Sequence, residues 1–174
     1  DGVVAEQFLC RAPQERVFFE GDWYEGLYVR EGASQQDLDE FAAFKAKIDA
    51  WVDWRDDQDR RAFTIPVAQC SDADQVMQLD KQSMADWLRS NGWNSKRLHW
   101  YVDYACRDDY GLTVEQTSAW AGIFYFAARL SKGGEPSQPF IVWPEGNGRL
   151  VKHLRTFLDG KSLSGWAVSG VKPT

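Results

Sequence analysis

Thr113-Val114-Glu115-Gln116-Thr117-Ser118-Ala119-Trp120-Ala121-Gly122-Ile123-Phe124-Tyr125-Phe126-Ala127-Ala128 is the stretch on which the fold turns. Thr113 with Gln116 three residues later has the capping-box pattern, in which each side chain satisfies an amide that the first helical turn leaves open. From Ala119 to Ala128 the residues are apolar on every side, and a helix with no polar face belongs in a core. The pattern therefore predicts a central, buried helix from about 113 to 131, with Trp120, Phe124 and Ala127 covered. The run is too short to span a bilayer.

On its N-terminal side, Ser95 is the expected cap of a helix whose Leu98, Tyr101, Val102 and Ala105 recur at i, i+3, i+4 and i+7, one stripe facing the core. A shorter helix is expected before it, capped by Asp80, with Met84, Trp87 and Leu88 inward and Ser90-Asn91-Gly92 closing it. Ser34 is the expected cap of an amphipathic helix over about 35 to 55, carrying Leu38, Phe41, Ile48, Trp51 and Val52. Further back, Arg16 to Glu20 and Trp23 to Val29 are aromatic and β-branched runs joined through Gly21-Asp22, which reads as a hairpin.

On the C-terminal side, Gly133-Gly134-Glu135-Pro136 reads as a loop and Pro139 to Trp143 as a buried strand. Pro144 to Gly148 reads as a tight turn into a helix bearing Leu150, Val151, Leu154, Phe157 and Leu158, with Gly160 at its end. Trp166 to Val171 has the look of a further strand. The elements add up to an α+β fold with more helix than strand and a small mixed or antiparallel sheet, expected as a single domain over residues 1–174.

Composition limits what such a domain can do. Hydrophobic residues make up 44% of the 174 and charged residues 26%, so a globular core is expected rather than disorder. The formal charge of -6, with Lys and Arg scattered among acids, argues against a general nucleic-acid binder. Cys10, Cys70 and Cys106 stand far apart without a Cys-x-x-Cys pair, and His99 and His153 lie at no metal-ligand spacing, so neither a zinc site nor a dithiol site is indicated. No Gly-x-Ser-x-Gly elbow supports a serine hydrolase.

Two clusters could carry chemistry. Asp103, Arg107, Asp108, Asp109 and Tyr110 crowd the end of one expected helix and the turn into the buried one. Arg107 is expected to pair with a carboxylate and help cap helix ends; alternatively Asp108, Asp109 and Tyr110 line a cleft and move protons. Glu145, Gly146, Asn147 and Gly148 precede a helix N-terminus, where free amides suit a phosphate. That turn lacks a third glycine and a Gly-Lys-Ser or Gly-Lys-Thr end, however, and Glu145 repels anions. Trp120 and Trp143 belong to the aromatic excess, which is core material with the capacity to line an apolar pocket.

Leu79 to Leu88, Tyr101 to Gly111, Ser118 to Gly122 and Trp143 to Leu150 together resemble a bacterial branch of the flavin-containing amine oxidase superfamily, whose members are described as NAD(P)-binding or twin-arginine-signal proteins. The resemblance runs from about Val17 to Leu158 and follows the order of that family's substrate domain. It implies a parent FAD-dependent oxidoreductase of which this chain is an excised substrate-side domain, with no FAD of its own. Its partners would be the FAD-binding domain of the same polypeptide and a small organic substrate, and a periplasmic location would follow from the twin-arginine relatives. Asp103, Arg107 to Tyr110, Trp120 and Trp143 would face the substrate or the other domain, and Glu145 to Gly148 would lie near the flavin. Asn147 interrupts the family's glycine doublet at that turn, and no Gly-x-Gly-x-x-Gly follows a strand. The competing reading is a free-standing, non-catalytic binding or interaction module.

Overall fold

The computed structural model describes residues 4–10, 14–130, 140–158 and 160–172. In chain order the elements are β1 (Leu9–Cys10), β2 (Arg16–Phe19), β3 (Asp22–Glu25), α1 (Gln35–Asp53), α2 (Asp74–Met77), α3 (Met84–Ser90), α4 (Lys96–Tyr110), α5 (Ala119–Ala127), β4 (Phe140–Ile141) and α6 (Gly148–Arg155). The fold is α+β, as the sequence predicts. The chain divides into two compact units, one formed by Asp1–Ala12 with Pro139–Thr174 and the other by Pro13–Gln138.

In the larger unit, β2 and β3 pair antiparallel with Val17 opposite Tyr24 and Phe18 opposite Trp23. The turn between them is Glu20-Gly21, both with positive φ, the left-handed pair that matches the twist of a two-residue hairpin. α1 starts at Ser34 as expected: the Ser34 hydroxyl accepts from the Asp37 amide and the Asp37 carboxylate accepts from the Ser34 amide. Ser95 caps α4 by accepting from the Leu98 amide, and Gly111 ends that helix in the left-handed region.

Two caps differ from expectation for one reason. Ser83, not Asp80, caps α3, and Ser118, not Thr113, caps α5. Asp80 lies in a short 3-10 turn, Gln78–Lys81. Gln116 accepts from the Thr113 amide, so half of the capping box forms, but around a turn. The carbonyls of that turn are taken by α3, whose Met84 and Ala85 amides donate to Thr117 and Val114 at 2.8 and 3.0 Å, while Ala119 donates back to Gln82 at 2.9 Å. Amides in a first helical turn have no partner within the helix. Here a neighbouring turn supplies the acceptors, and a helix starting at 113 would withdraw them.

The core gathers Phe44, Val52, Phe63, Val76, Met84, Leu88, Leu98, Val102 and Ile123, each almost wholly buried. α5 runs through it. Ala119, Ile123 and Ala127 are fully buried, while Trp120 and Phe124 are partly covered and stack on each other with ring centroids 5.1 Å apart. At Gly122 an added Cβ would meet Met84 Cγ and Sδ at 2.7 Å, so the missing side chain is what lets α5 approach α3. Arg61 closes the other end of α5 by donating to the carbonyls of Ala127 and Leu130 at 3.1 and 2.6 Å.

The segment after α1 is anchored in the core by Ala62 and Phe63, and its polar turn is organised by one carboxylate. Asp56 accepts from the amides of Gln58 and Arg60, from Arg60 Nε and from the Ser71 hydroxyl, all within 2.9 Å. The Ser71 hydroxyl first, then the two amides and Arg60, outweigh desolvation and hold the Asp56 carboxyl down to about 2. A depressed carboxyl stabilises the fold above its unfolded value and loses that contribution as pH falls through the folded one. In an acid titration, the Gln58 and Arg60 amide resonances are therefore expected to move together with a midpoint near 2. A midpoint near the free-carboxyl value of about 4 would show that the loop does not hold Asp56.

In the smaller unit, β1 and β4 pair antiparallel, Leu9 opposite Ile141 and Cys10 opposite Phe140. The expected buried strand from Pro139 to Trp143 is thus two residues long, and Ile141 and Val142 are exposed. An unbroken apolar run is the mark of a strand covered on both faces, and here neither residue has such cover. α6 ends at Arg155, five residues before Gly160, and Trp166 to Val171 forms no strand because no partner strand pairs with it among the described residues. The loop expected at Gly133 to Pro136 lies outside the described residues. No described helix is long and apolar enough to cross a membrane.

Candidate functional site

α4 and α5 pack together in the larger unit, and the acidic cluster lies along their contact. Helical spacing places Asp103 and Arg107 one turn apart, and Arg107 Nε donates to Asp103 Oδ2 at 2.6 Å. The other Asp103 oxygen accepts from the Val114 amide at 2.8 Å, tying the end of α4 to the turn before α5. Asp109 accepts from Arg129 at 2.6 Å, and that guanidinium also sits over the Tyr125 ring. Asp108 accepts from the Tyr125 hydroxyl at 3.3 Å. Tyr110 donates to the Ala121 carbonyl at 2.8 Å.

Each of these polar groups therefore has a partner on α4, on α5 or on the segments flanking α5. Burial pushes the Tyr110 hydroxyl up to about 12 and the Tyr125 hydroxyl higher still, so both are proton-bearing donors across the neutral range. Cys106, buried between these helices, is pushed up to about 11 by desolvation and stays a thiol. The Trp120 ring faces Phe63 and Phe124 in the core, and its indole Nε1 has no acceptor. What the cluster does chemically in this arrangement is to lock two helices together.

Trp143 and Glu145 to Gly148 fall in the smaller unit, so the sequence-singled residues divide between the two units. Gly146 takes positive φ, and its amide donates to the Trp143 carbonyl at 2.7 Å. Arg149 and Leu150 donate to Gly146 and Asn147 within the turn, and Glu145 accepts from Arg149 at 3.4 Å. Gly146 and Gly148 both border open space. A diphosphate needs amides that are free and unopposed. Here several amides are spent inside the turn and a carboxylate stands beside it, so these residues do not fit the pyrophosphate of FAD. No group of three or more potential metal ligands occurs among the described residues.

A feature that sequence reading missed lies at the opposite end of α4. Val17 and Phe19 on β2, Leu27 to Val29, and Lys96, Arg97 and Trp100 on α4 line a half-open pocket of about 240 Å³. Its wall is fixed by polar ties: the Tyr28 hydroxyl donates to the Asp37 carbonyl at 2.8 Å, and Arg97 Nη1 donates to the Val29 carbonyl at 3.0 Å. The Asp37 carboxylate accepts from the Ser95 and Ser34 hydroxyls, which hold it below the usual carboxylate range. Three separate segments build this pocket, and the alternation of Val17 and Phe19 on one strand face was the available hint.

In comparisons with known proteins, no family model, curated protein or solved structure matches this chain. Its function is read from its own residues.

Proposed function

We propose that the chain is the substrate-side domain of a larger FAD-dependent oxidoreductase of the amine oxidase type, without activity by itself. The observation that carries this reading is the surface of the smaller unit. Leu154, Phe157, Leu163, Trp166 and Val168 are each more than 60% exposed. Several exposed large apolar side chains within one unit are what a surface that packs on another protein body would present. In the proposed arrangement the FAD-binding domain of the same polypeptide covers it, and the flavin there takes a hydride from a small organic substrate. The oxidoreductase part of the reading rests on the family resemblance of Leu79 to Leu88, Tyr101 to Gly111, Ser118 to Gly122 and Trp143 to Leu150.

The test is the full product of the gene that encodes these residues. It is expected to purify yellow, with FAD retained through gel filtration, and to be reduced anaerobically by a small amine. The 174-residue chain is expected to purify colourless. A gene product bounded by these residues, or a longer one that retains no flavin, would sink the proposal. The second reading, a free-standing binding module, draws on the pocket, which is lined entirely from within the larger unit.

A further inference from the structure

The pocket between the hairpin and the first turn of α4 has a chemistry of its own, and it stands whether or not the chain belongs to a flavoprotein. Six of its lining residues are aliphatic or aromatic, two are cationic, and none is acidic; its surface is almost wholly apolar, so Lys96 and Arg97 line it with their stems and carry their charge at its rim. Arg97 is held in place, its Nη1 on the Val29 carbonyl and its guanidinium 5.2 Å from the centre of the Phe19 ring. Part of its charge is met by Asp37, whose Oδ2 lies 4.0 Å from Nε. Lys96 is exposed and makes no ion pair among the described residues. Both cations occupy the first turn of α4, where the helix field also favours an anion.

Size narrows the ligand. A water molecule takes about 30 Å³ in the liquid, so the cavity has room for roughly eight, somewhat below the range of about 300–1,000 Å³ usual for drug-sized sites. That is the scale of one ring with a short arm. Phe19, Tyr28 and Trp100 supply aromatic walls, which favour a flat ring by offset or edge contacts. A carboxylate matches the fork of Arg97 and the point charge of Lys96.

We propose that this pocket binds a small aromatic carboxylate, its ring among Phe19, Tyr28 and Trp100 and its carboxylate at Lys96 and Arg97. The test is an NMR titration of the whole chain with phenylacetate, with neutral phenylacetamide and cationic 2-phenylethylamine as comparisons. Phenylacetate is expected to give saturable shifts confined to the methyls of Val17, Leu27 and Val29 and the Trp100 indole. Both comparison compounds are expected to bind at least about fivefold more weakly, the scale of one partly screened charge contact. Lys96→Glu is expected to weaken phenylacetate by about fivefold or more and to leave phenylacetamide unchanged. This variant keeps the fold, because an acid is favoured in a first helical turn; unmoved Ile123 methyls check it. Equal binding of the amide or the amine, shifts centred on residues 148–171, or no saturation by phenylacetate would each overturn the proposal.

Discussion

Phe44→Ala is expected to lower the unfolding free energy by about 3–5 kcal/mol. Phe44 is 1% exposed and sits on α1 with its ring edge-on to four others. Those are Trp87 on α3, Trp93 before α4, Tyr101 on α4 and Phe126 on α5, at centroid separations of 5.1 to 6.4 Å. Truncation removes the transfer energy of the ring and leaves a cavity bordered by four rigid aromatics, which collapse poorly into the gap. Domains of this size have about 5–15 kcal/mol in total, so the variant should melt far below the parent or fail to fold. Phe44→Leu retains part of the volume and should lose less. Urea melts of the two variants decide it: losses below about 1 kcal/mol for alanine would show that the ring is not a keystone between the helices.

Gly122→Ala is the second large effect, and its sign runs against helix propensity. In an exposed helix the change would stabilise by about 1 kcal/mol. At Gly122 the new methyl would fall 2.7 Å from Met84 Cγ and Sδ, and Met84 is itself completely buried. Either Met84 leaves its rotamer or α3 and α5 move apart, and overpacking of this kind costs about 1–3 kcal/mol. The net expectation is a loss of up to roughly 2 kcal/mol, with Gly122→Val worse. Adding Met84→Ala should make Gly122→Ala favourable, because the methyl then fills the space the methionine vacates. A double-mutant cycle in thermal melts reads that coupling. Additive losses would mean that the close approach is not what the glycine provides.

The sequence reveals most where structure is decided locally. Ser34 with Asp37, and Ser95 with its stripe of Leu98, Val102 and Ala105, placed α1 and α4 within a residue or two, because cap chemistry and a one-sided apolar face are properties of a few neighbouring residues. The hairpin was legible for the same reason, although its turn is Glu20-Gly21 and not the expected Gly21-Asp22, and its second strand ends at Glu25 and not at Val29. The start of α5 was not, because the acceptors that α3 needs lie on the Thr113 to Thr117 turn, a long-range demand that outweighs a local capping box. The strand near Phe140 was misread in length and cover: apolarity says that residues prefer burial, and only the fold says whether anything is there to bury them. At the candidate site, the ion pair of Arg107 was readable from its one-turn spacing to Asp103. The pairing of Asp109 with Arg129 across 20 residues was not, nor was the pocket assembled from three segments.

The division of the chain has a calorimetric consequence. Among the described residues, every buried apolar side chain, from Val29 to Ala128, belongs to the larger unit. The heat-capacity increase on unfolding follows the apolar surface newly wetted, and in the smaller unit much of that surface meets water already. The chain should therefore unfold with the enthalpy and heat-capacity step of a protein noticeably shorter than itself, and its stability curve should be correspondingly shallow.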